Sequence, residues 1–311
     1  VKITVNTADS YNRRYSSPSL ATGPSGKILL AYDHYLGAGN DLDPSSVEMI
    51  ESEDGRTWGS EAVIDPSGVN PSVVTSNGRI LVFYGKRFSN CDLRIVVNSE
   101  GKTNQVTPDG AGYVQLAHDH ATILRDGRIA LPIASVSDIT PPRISPYLGW
   151  ILISPTWSGL GPFFGGSLGP DEPAVVERTD GTLDFYSRSV DGYVYRNGSP
   201  LLSLPAPDAP FNIRKVGNVL LAVINQLPND GIYKRGKLTV FISSDEGENW
   251  HESFVLENDP RYSFSGPAIL GHDGYVIFSY WTRLDSTIDR TGTGLIDLRV
   301  ALVPSSVLGI I

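Results

Sequence analysis

One phrase recurs six times along this chain, and it constrains the fold more than any other feature. It runs from a Pro or small polar start into a short apolar strand, a turn with Gly, and a second apolar strand. Pro18-Ser19-Leu20-Ala21 turns at Gly26 into Ile28-Leu29-Leu30-Ala31-Tyr32, and Pro71-Ser72-Val73-Val74 turns at Gly78 into Ile80-Leu81-Val82-Phe83-Tyr84. His120-Ala121-Thr122-Ile123 turns at Gly127 into Ile129-Ala130-Leu131-Pro132, and Pro173-Ala174-Val175-Val176 turns at Gly181 into Leu183-Asp184-Phe185-Tyr186. Pro210-Phe211-Asn212-Ile213 turns at Gly217 into Val219-Leu220-Leu221-Ala222-Val223, and Pro267-Ala268-Ile269-Leu270 turns at Gly274 into Val276-Ile277-Phe278-Ser279-Tyr280. The turn glycines lie 36 to 57 residues apart.

A four-stranded propeller blade takes roughly 40–50 residues. Six copies in 311 residues therefore predict a single all-β domain over 1–311, a six-bladed β-propeller. Further strands are expected at Val47–Ile50, Leu93–Val97, Trp150–Ile153 and Leu238–Ile242. The runs are continuously apolar, as where sheets are covered on both faces. Lys2–Val5 and Leu298–Val303 are expected to pair in one blade, which removes an open edge. A β-sandwich is the rival architecture and does not explain six similar hairpins.

Ser243-Ser244-Asp245-Glu246-Gly247-Glu248-Asn249-Trp250 is the sharpest local motif. Asp245 suits a turn because it accepts backbone N–H bonds, Gly247 suits a positive φ, and Trp250 closes the hairpin by burying its ring. The spacing S-x-D-x-G-x-x-W resembles the Asp-box hairpin of sialidase-like propellers. Ser52-Glu53-Asp54-Gly55-Arg56-Thr57-Trp58 is a looser copy, and Asn98-Ser99-Glu100-Gly101-Lys102-Thr103-Asn104 a decayed one. Trp58 and Trp250 read as structural.

The chain thus resembles the sialidase-like, BNR-repeat superfamily, most specifically from Glu172 to Tyr262. That resemblance implies an exo-glycosidase acting with retention on a sialic-acid-like sugar. In such enzymes a Tyr attacks the anomeric carbon, and a Glu takes its proton because a phenol of pKa ~10 is a poor nucleophile unaided. Three Arg clamp the substrate carboxylate, and an Asp serves as general acid and then base. By position, the resemblance makes Tyr262 the nucleophile, Glu172 its base, and Arg188 and Arg235 two members of the clamp. The family's first Arg falls at Ser16 here, so either Arg14, or else Arg13, supplies it, or the clamp has lost a member. Asp41 sits nearest the spacing of the acid, with Asp43 the runner-up.

His118-Asp119-His120 opens the third copy and has three readings: a polar hinge at the channel mouth, a substrate contact, or a metal site. His34, after Asp33, could join His120 as a substrate contact. Trp281 could stack on a sugar or pack in the core. No cofactor and no metal are expected.

A net charge of −9 argues against non-specific nucleic-acid binding, and no apolar run is long enough for a membrane span. Cys91 is the one cysteine, so no intramolecular disulfide forms, and a buried inert thiol is expected. No leader is visible before Val1; if one was removed, a secreted or periplasmic location is favoured. The expected partner is a glycan or glycoconjugate. Two rival functions stand beside the sialidase reading. One is a sialidase-fold enzyme with other carbohydrate chemistry, a lyase or a glycosidase using His34, His118 or His120. The other is a non-catalytic glycan-binding propeller.

Overall fold

The computed structural model describes residues 1–9, 12–36, 43–89, 92–107, 113–136, 148–154, 171–189, 191–207, 209–226, 235–284 and 295–310. The described residues form an all-β structure of four hydrogen-bonded sheets, with one short 3-10 turn at Ser305–Leu308. Each recurring phrase becomes the start of an antiparallel meander. The first comprises Asn12–Thr22, Ile28–Leu36, Ser45–Ser52 and Ala62–Asp65. The second comprises Gly68–Ser76, Arg79–Ser89, Asp92–Ser99 and Lys102–Gln105. In the third, Ile129–Val136 pairs with Leu148–Ser154 on one side. Its other side carries two short pieces, Tyr113–Leu116 and Thr122–Ile123.

The fourth comprises Asp171–Glu177, Leu183–Arg188, Tyr193–Arg196 and Ser199–Pro205. The fifth comprises Asn212–Val216, Val219–Asn225, Leu238–Ser243 and His251–Glu257. The sixth joins Tyr262–His272, Tyr275–Leu284 and Ile296–Pro304 to the N-terminal strand Lys2–Asn6. The two ends of the chain therefore pair, as expected from their patterns. Parallel bridges at Arg14–Ile296 and Tyr113–Leu93 merge neighbouring meanders, giving four sheets.

The core lies between meanders. Strands such as Val219–Asn225 and Leu238–Ser243 are buried along their whole length, which explains their unbroken apolar runs. Leu29, Val47, Val82 and Val96 fill the gap between the first and second meanders. Trp250 packs with Tyr186, Phe211 and Leu220 between the fourth and fifth. Each second strand of four meanders carries a fully buried tyrosine: Tyr32, Tyr84, Tyr186 and Tyr280. Three of their hydroxyls donate to carboxylates, Tyr32 to Glu61 at 2.9 Å, Tyr84 to Asp65 at 2.9 Å and Tyr280 to Glu257 at 2.6 Å. A buried phenol keeps its partner this way, so the ring is buried at little polar cost.

The Ser243–Trp250 turn is held by its polar side chains. Ser243 Oγ accepts the Gly247 N–H at 2.9 Å, Asp245 Oδ1 accepts the Asn249 N–H at 2.9 Å, and Trp250 Nε1 donates to the Gly247 carbonyl at 3.1 Å. The Asn249 bonds, with Ser243, pull the Asp245 carboxyl down to about 2. Gly247 has φ +84, and a Cβ there would collide with the Tyr186 hydroxyl. Ser52 and Asp54 repeat the arrangement, with Gly55 N–H on Ser52 Oγ at 2.8 Å and Thr57 N–H on Asp54 Oδ1 at 2.9 Å.

The first strands pack side by side in chain order, and that of the sixth meander packs on that of the first. Their inward N–H groups need acceptors. Ser19 Oγ accepts the Val73 N–H at 2.8 Å, and Ser72 Oγ accepts the Ala121 N–H at 2.7 Å. Asp119 sits where the third meander's first strand breaks, at φ +57 and fully buried. Its Oδ1 accepts Ser19 Oγ at 2.9 Å and the Leu20 N–H at 2.9 Å. Its Oδ2 accepts Asn212 Nδ2 at 2.9 Å and the Ile269 N–H at 3.1 Å. One side chain therefore ties the third meander to the first, fifth and sixth.

Candidate functional site

A cavity of about 430 Å³ opens on one side of this hub. It is lined where the strands nearest the hub begin and where their partner strands end. Arg14, Arg87, Arg188, Arg235 and Arg283 line it, with Glu172, His118, Tyr35, Tyr113 and Trp281. A second cavity, of about 550 Å³, lies on the other side and is walled mainly by apolar residues such as Leu20, Val73, Val175 and Ile213.

Arg14 reaches the first cavity, as expected if it replaces the residue missing at Ser16. Its Nε–H donates to Ser16 Oγ at 2.8 Å, and its guanidinium lies 4.6 Å from the Tyr35 ring centroid. Bulges between Asn12 and Arg14 and between Ser16 and Ser19 reset the strand, so spacing from Pro18 misjudges which side chain faces in. Arg188 ends the second strand of the fourth meander, and its Nη1 lies 2.9 Å from Glu172 Oε2. Arg235 stands over Trp281, 5.8 Å from its ring centroid. The cavity thus gathers four of the expected residues: Arg14, Arg188, Arg235 and Glu172.

Glu172 is held at φ +45, beside a bulge between Asp171 and Ala174. Such a conformation in a non-Gly residue is strained and often marks a functional position. Burial alone would raise its carboxyl. The charge of Arg188, then His118 and Arg235, outweighs burial and holds it below the ordinary carboxylate range. Glu172 is therefore an ionised counter-ion of the arginines. Burial holds the His118 imidazole below its ordinary value, against the opposing charge of Glu172.

Several expected site residues lie elsewhere. Tyr262 is not on the cavity wall. Side chains alternate along its strand, and Ser263 and its cross-strand partner Arg283 face the cavity. Tyr262 faces the opposite way with Phe264, against the apolar cluster between the fifth and sixth meanders. Its ring is flanked by the guanidinium groups of Arg261 and Arg299, each 5.6 Å from the centroid. Tyr262, expected as the nucleophile beside Glu172, is thus not among the residues that line this cavity.

His34 and His120, expected as substrate contacts, are likewise not among the residues that line the cavity. His34 Nδ1 lies 2.9 Å from Glu48 Oε1, and its ring stacks on Tyr15 at 4.6 Å. His120 is 3% exposed and sits in the hub, Nδ1 2.7 Å from the Pro173 carbonyl and Nε2 3.0 Å from that of Phe211. The hinge reading of the His118–His120 segment fits Asp119 and His120, while His118 alone lines the cavity. Asp41 and the Arg13 side chain lie outside the described residues, as does Cys91. Asp43 is described, and its carbonyl lies 3.4 Å from Arg87 Nη1. Among the described residues no three His, Cys, Asp or Glu side chains converge to hold a metal ion, and no helix is long and apolar enough to cross a membrane.

Arg87, Arg283 and Tyr35 were not singled out from the sequence, yet a signal exists. Each is the third residue after a buried second-strand tyrosine: Tyr84, Tyr280 and Tyr32 respectively. The shared offset aims the same strand position at the cavity in three meanders.

Buried histidines give a pH dependence. Burial, then the charge of His118, pushes His120 down to about 4 from 6.5. The unfolded chain then binds a proton near pH 6.5 that the folded one refuses until about pH 4. Stability from this group is complete above 6.5 and is lost as pH falls toward 4, by roughly 3 kcal/mol in all. Urea midpoints measured between about pH 7 and pH 5 should fall, and His120→Gln should flatten the slope. A pH-independent wild-type midpoint over that range would contradict the assignment.

No protein-family model and no curated protein matches the chain. Solved structures do. A Trypanosoma rangeli sialidase superposes with a TM-score of 0.74 at 14% identity, over 95% of this chain and 56% of that one. The fold is that of the sialidases. The NanB sialidase of Streptococcus pneumoniae matches with a TM-score of 0.70 at 11% identity, over 98% of this chain and 70% of that one. A Dyadobacter fermentans protein of unknown function matches over 97% of this chain and 99% of its own, with a TM-score of 0.71 at 14% identity. The chain thus spans little more than half of the trypanosomal sialidase and nearly the whole of the Dyadobacter protein. In the sialidase-like fold described here, the arginine-rich cavity is the candidate site.

Proposed function

We propose that this protein recognises a terminal sialic-acid-like sugar on a glycan or glycoconjugate, in the arginine-lined cavity of a six-bladed β-propeller. The blade reading rests on the six meanders, their side-by-side first strands and the paired chain ends. The observation that carries the function is the convergence of Arg14, Arg188 and Arg235 on one cavity. Guanidinium forks match carboxylate geometry, and several fixed cations offset the cost of stripping water from an anion. Trp281 offers an aromatic surface beside them.

Retaining glycosidase action of the exo-sialidase type is a second reading. It is favoured by the fold's sialidase neighbours and by two phenols, Tyr35 and Tyr113, that share the cavity with Glu172. In this reading one of those phenols, not Tyr262, attacks the anomeric carbon. Binding to a panel of acidic and neutral glycans, run beside hydrolysis of a fluorogenic sialoside, tests both. Retention of sialosides over their neutral counterparts is expected. Equal binding of neutral and acidic glycans, or of neither, would overturn the proposal.

Glu172 separates the two readings. It competes with a ligand carboxylate for Arg188, so Glu172→Gln should tighten acidic-sugar binding by roughly 3- to 10-fold, a modest electrostatic gain. If Glu172 instead serves as the base, the same variant should lower hydrolysis by roughly 100-fold or more.

A further inference from the structure

Arg283, like Arg87, is a cation in the cavity whose presence the carboxylate clamp does not explain. It ends the strand Tyr275–Leu284, two residues beyond Trp281, and pairs across the strand with Ser263. All three line the cavity. Elsewhere, arginines of this chain are matched with carboxylates: Arg94 with Asp92 at 2.6 Å, Arg196 with Asp184 at 2.7 Å, and Arg261 with Asp259 at 2.6 Å. Arg188 has Glu172. Among the described residues the Arg283 side chain makes no hydrogen bond or ion pair, and its Nε is buried without an acceptor. Leaving a guanidinium N–H dry and unmatched is costly unless something binds there.

Its position repeats that of Arg87 and Tyr35 three residues after a buried tyrosine, so the strand register points it inward by construction.

We propose that Arg283 is a second anion-binding point, and that the preferred ligand is an acidic sugar carrying two anionic groups. One is the carboxylate held by Arg14, Arg188 and Arg235. The other is a sulfate ester or a second carboxylate, which share the bidentate acceptor geometry that a guanidinium fork fits. This inference rests on the acidic-sugar reading given above and adds the ligand's second charge.

The test compares three probes by calorimetry: a sialoside with one carboxylate, the same sialoside bearing a sulfate ester on the adjoining sugar, and a disialoside. The wild-type protein should bind at least one dianionic probe roughly 10- to 100-fold more tightly than the monoanionic one, the gain of one charge-assisted contact. Which of the two gains identifies the second group. Arg283→Gln should erase that preference, the dianionic and monoanionic probes then binding alike to within about 3-fold. Arg283→Lys, which keeps the charge, should retain part of it, and this variant also carries the test if the glutamine variant does not fold. Equal wild-type affinity for all three probes, or a preference that survives Arg283→Gln, would overturn the proposal while leaving the acidic-sugar reading intact. Binding of none of the probes would overturn both.

Discussion

Asp119→Ala should lower folding stability by roughly 3–5 kcal/mol, the scale for breaking a buried charged network. The side chain is fully buried and accepts four hydrogen bonds. Its removal strands the Leu20 and Ile269 N–H groups, which face the hub and have no strand partner there, together with Asn212 Nδ2. Arg214, whose Nη2 lies 3.6 Å from Asp119 Oδ2, loses its anion as well. Asp119→Asn should cost nearly as much, because its amide NH₂ would face donors. Urea unfolding at neutral pH measures the loss, and a drop in Tm of roughly 10 °C should accompany it. A change under about 1 kcal/mol would mean that the hub does not hold the meanders together.

The second large effect concerns Arg188. Arg188→Met should weaken acidic-sugar binding by roughly 100-fold, because a charge-assisted contact is lost at a poorly solvated site. It should also destabilise the fold, since the largely buried Glu172 loses the guanidinium 2.9 Å from it. Adding Glu172→Gln to Arg188→Met should restore stability without restoring binding. That separation identifies the arginine as a ligand contact and not merely the partner of Glu172. Recovery of both properties in the double variant would make the pair structural only.

The strands were legible because they are covered on both faces, so each reads as an unbroken apolar run between Gly turns. Val219–Asn225 and Leu238–Ser243 are the clearest cases. The pairing of the two chain ends followed from the same pattern. The cavity was legible where a residue ends a regular strand, as at Arg188, or opens one beside a Pro, as at Glu172. It was less legible where a bulge or the two-residue alternation decides which way a side chain points. Tyr262 and Ser263 are adjacent, and the register sends only Ser263 to the cavity. His120 looked like a channel-mouth residue because it opens a strand, yet the break at Asp119 turns it into the hub. The hub itself has no local signal. Asp119 meets Ser19, Asn212 and Ile269 only once the meanders have closed around it, and no spacing along the chain encodes that meeting.

The most direct test of the account is the crystal structure of the protein soaked with a sialoside that it does not cleave. The account expects the sugar in the cavity, its carboxylate within hydrogen-bond distance of Arg14, Arg188 and Arg235, and the Tyr262 hydroxyl remote from the anomeric carbon. A sugar bound elsewhere, or one whose carboxylate touches none of the three arginines, would contradict it.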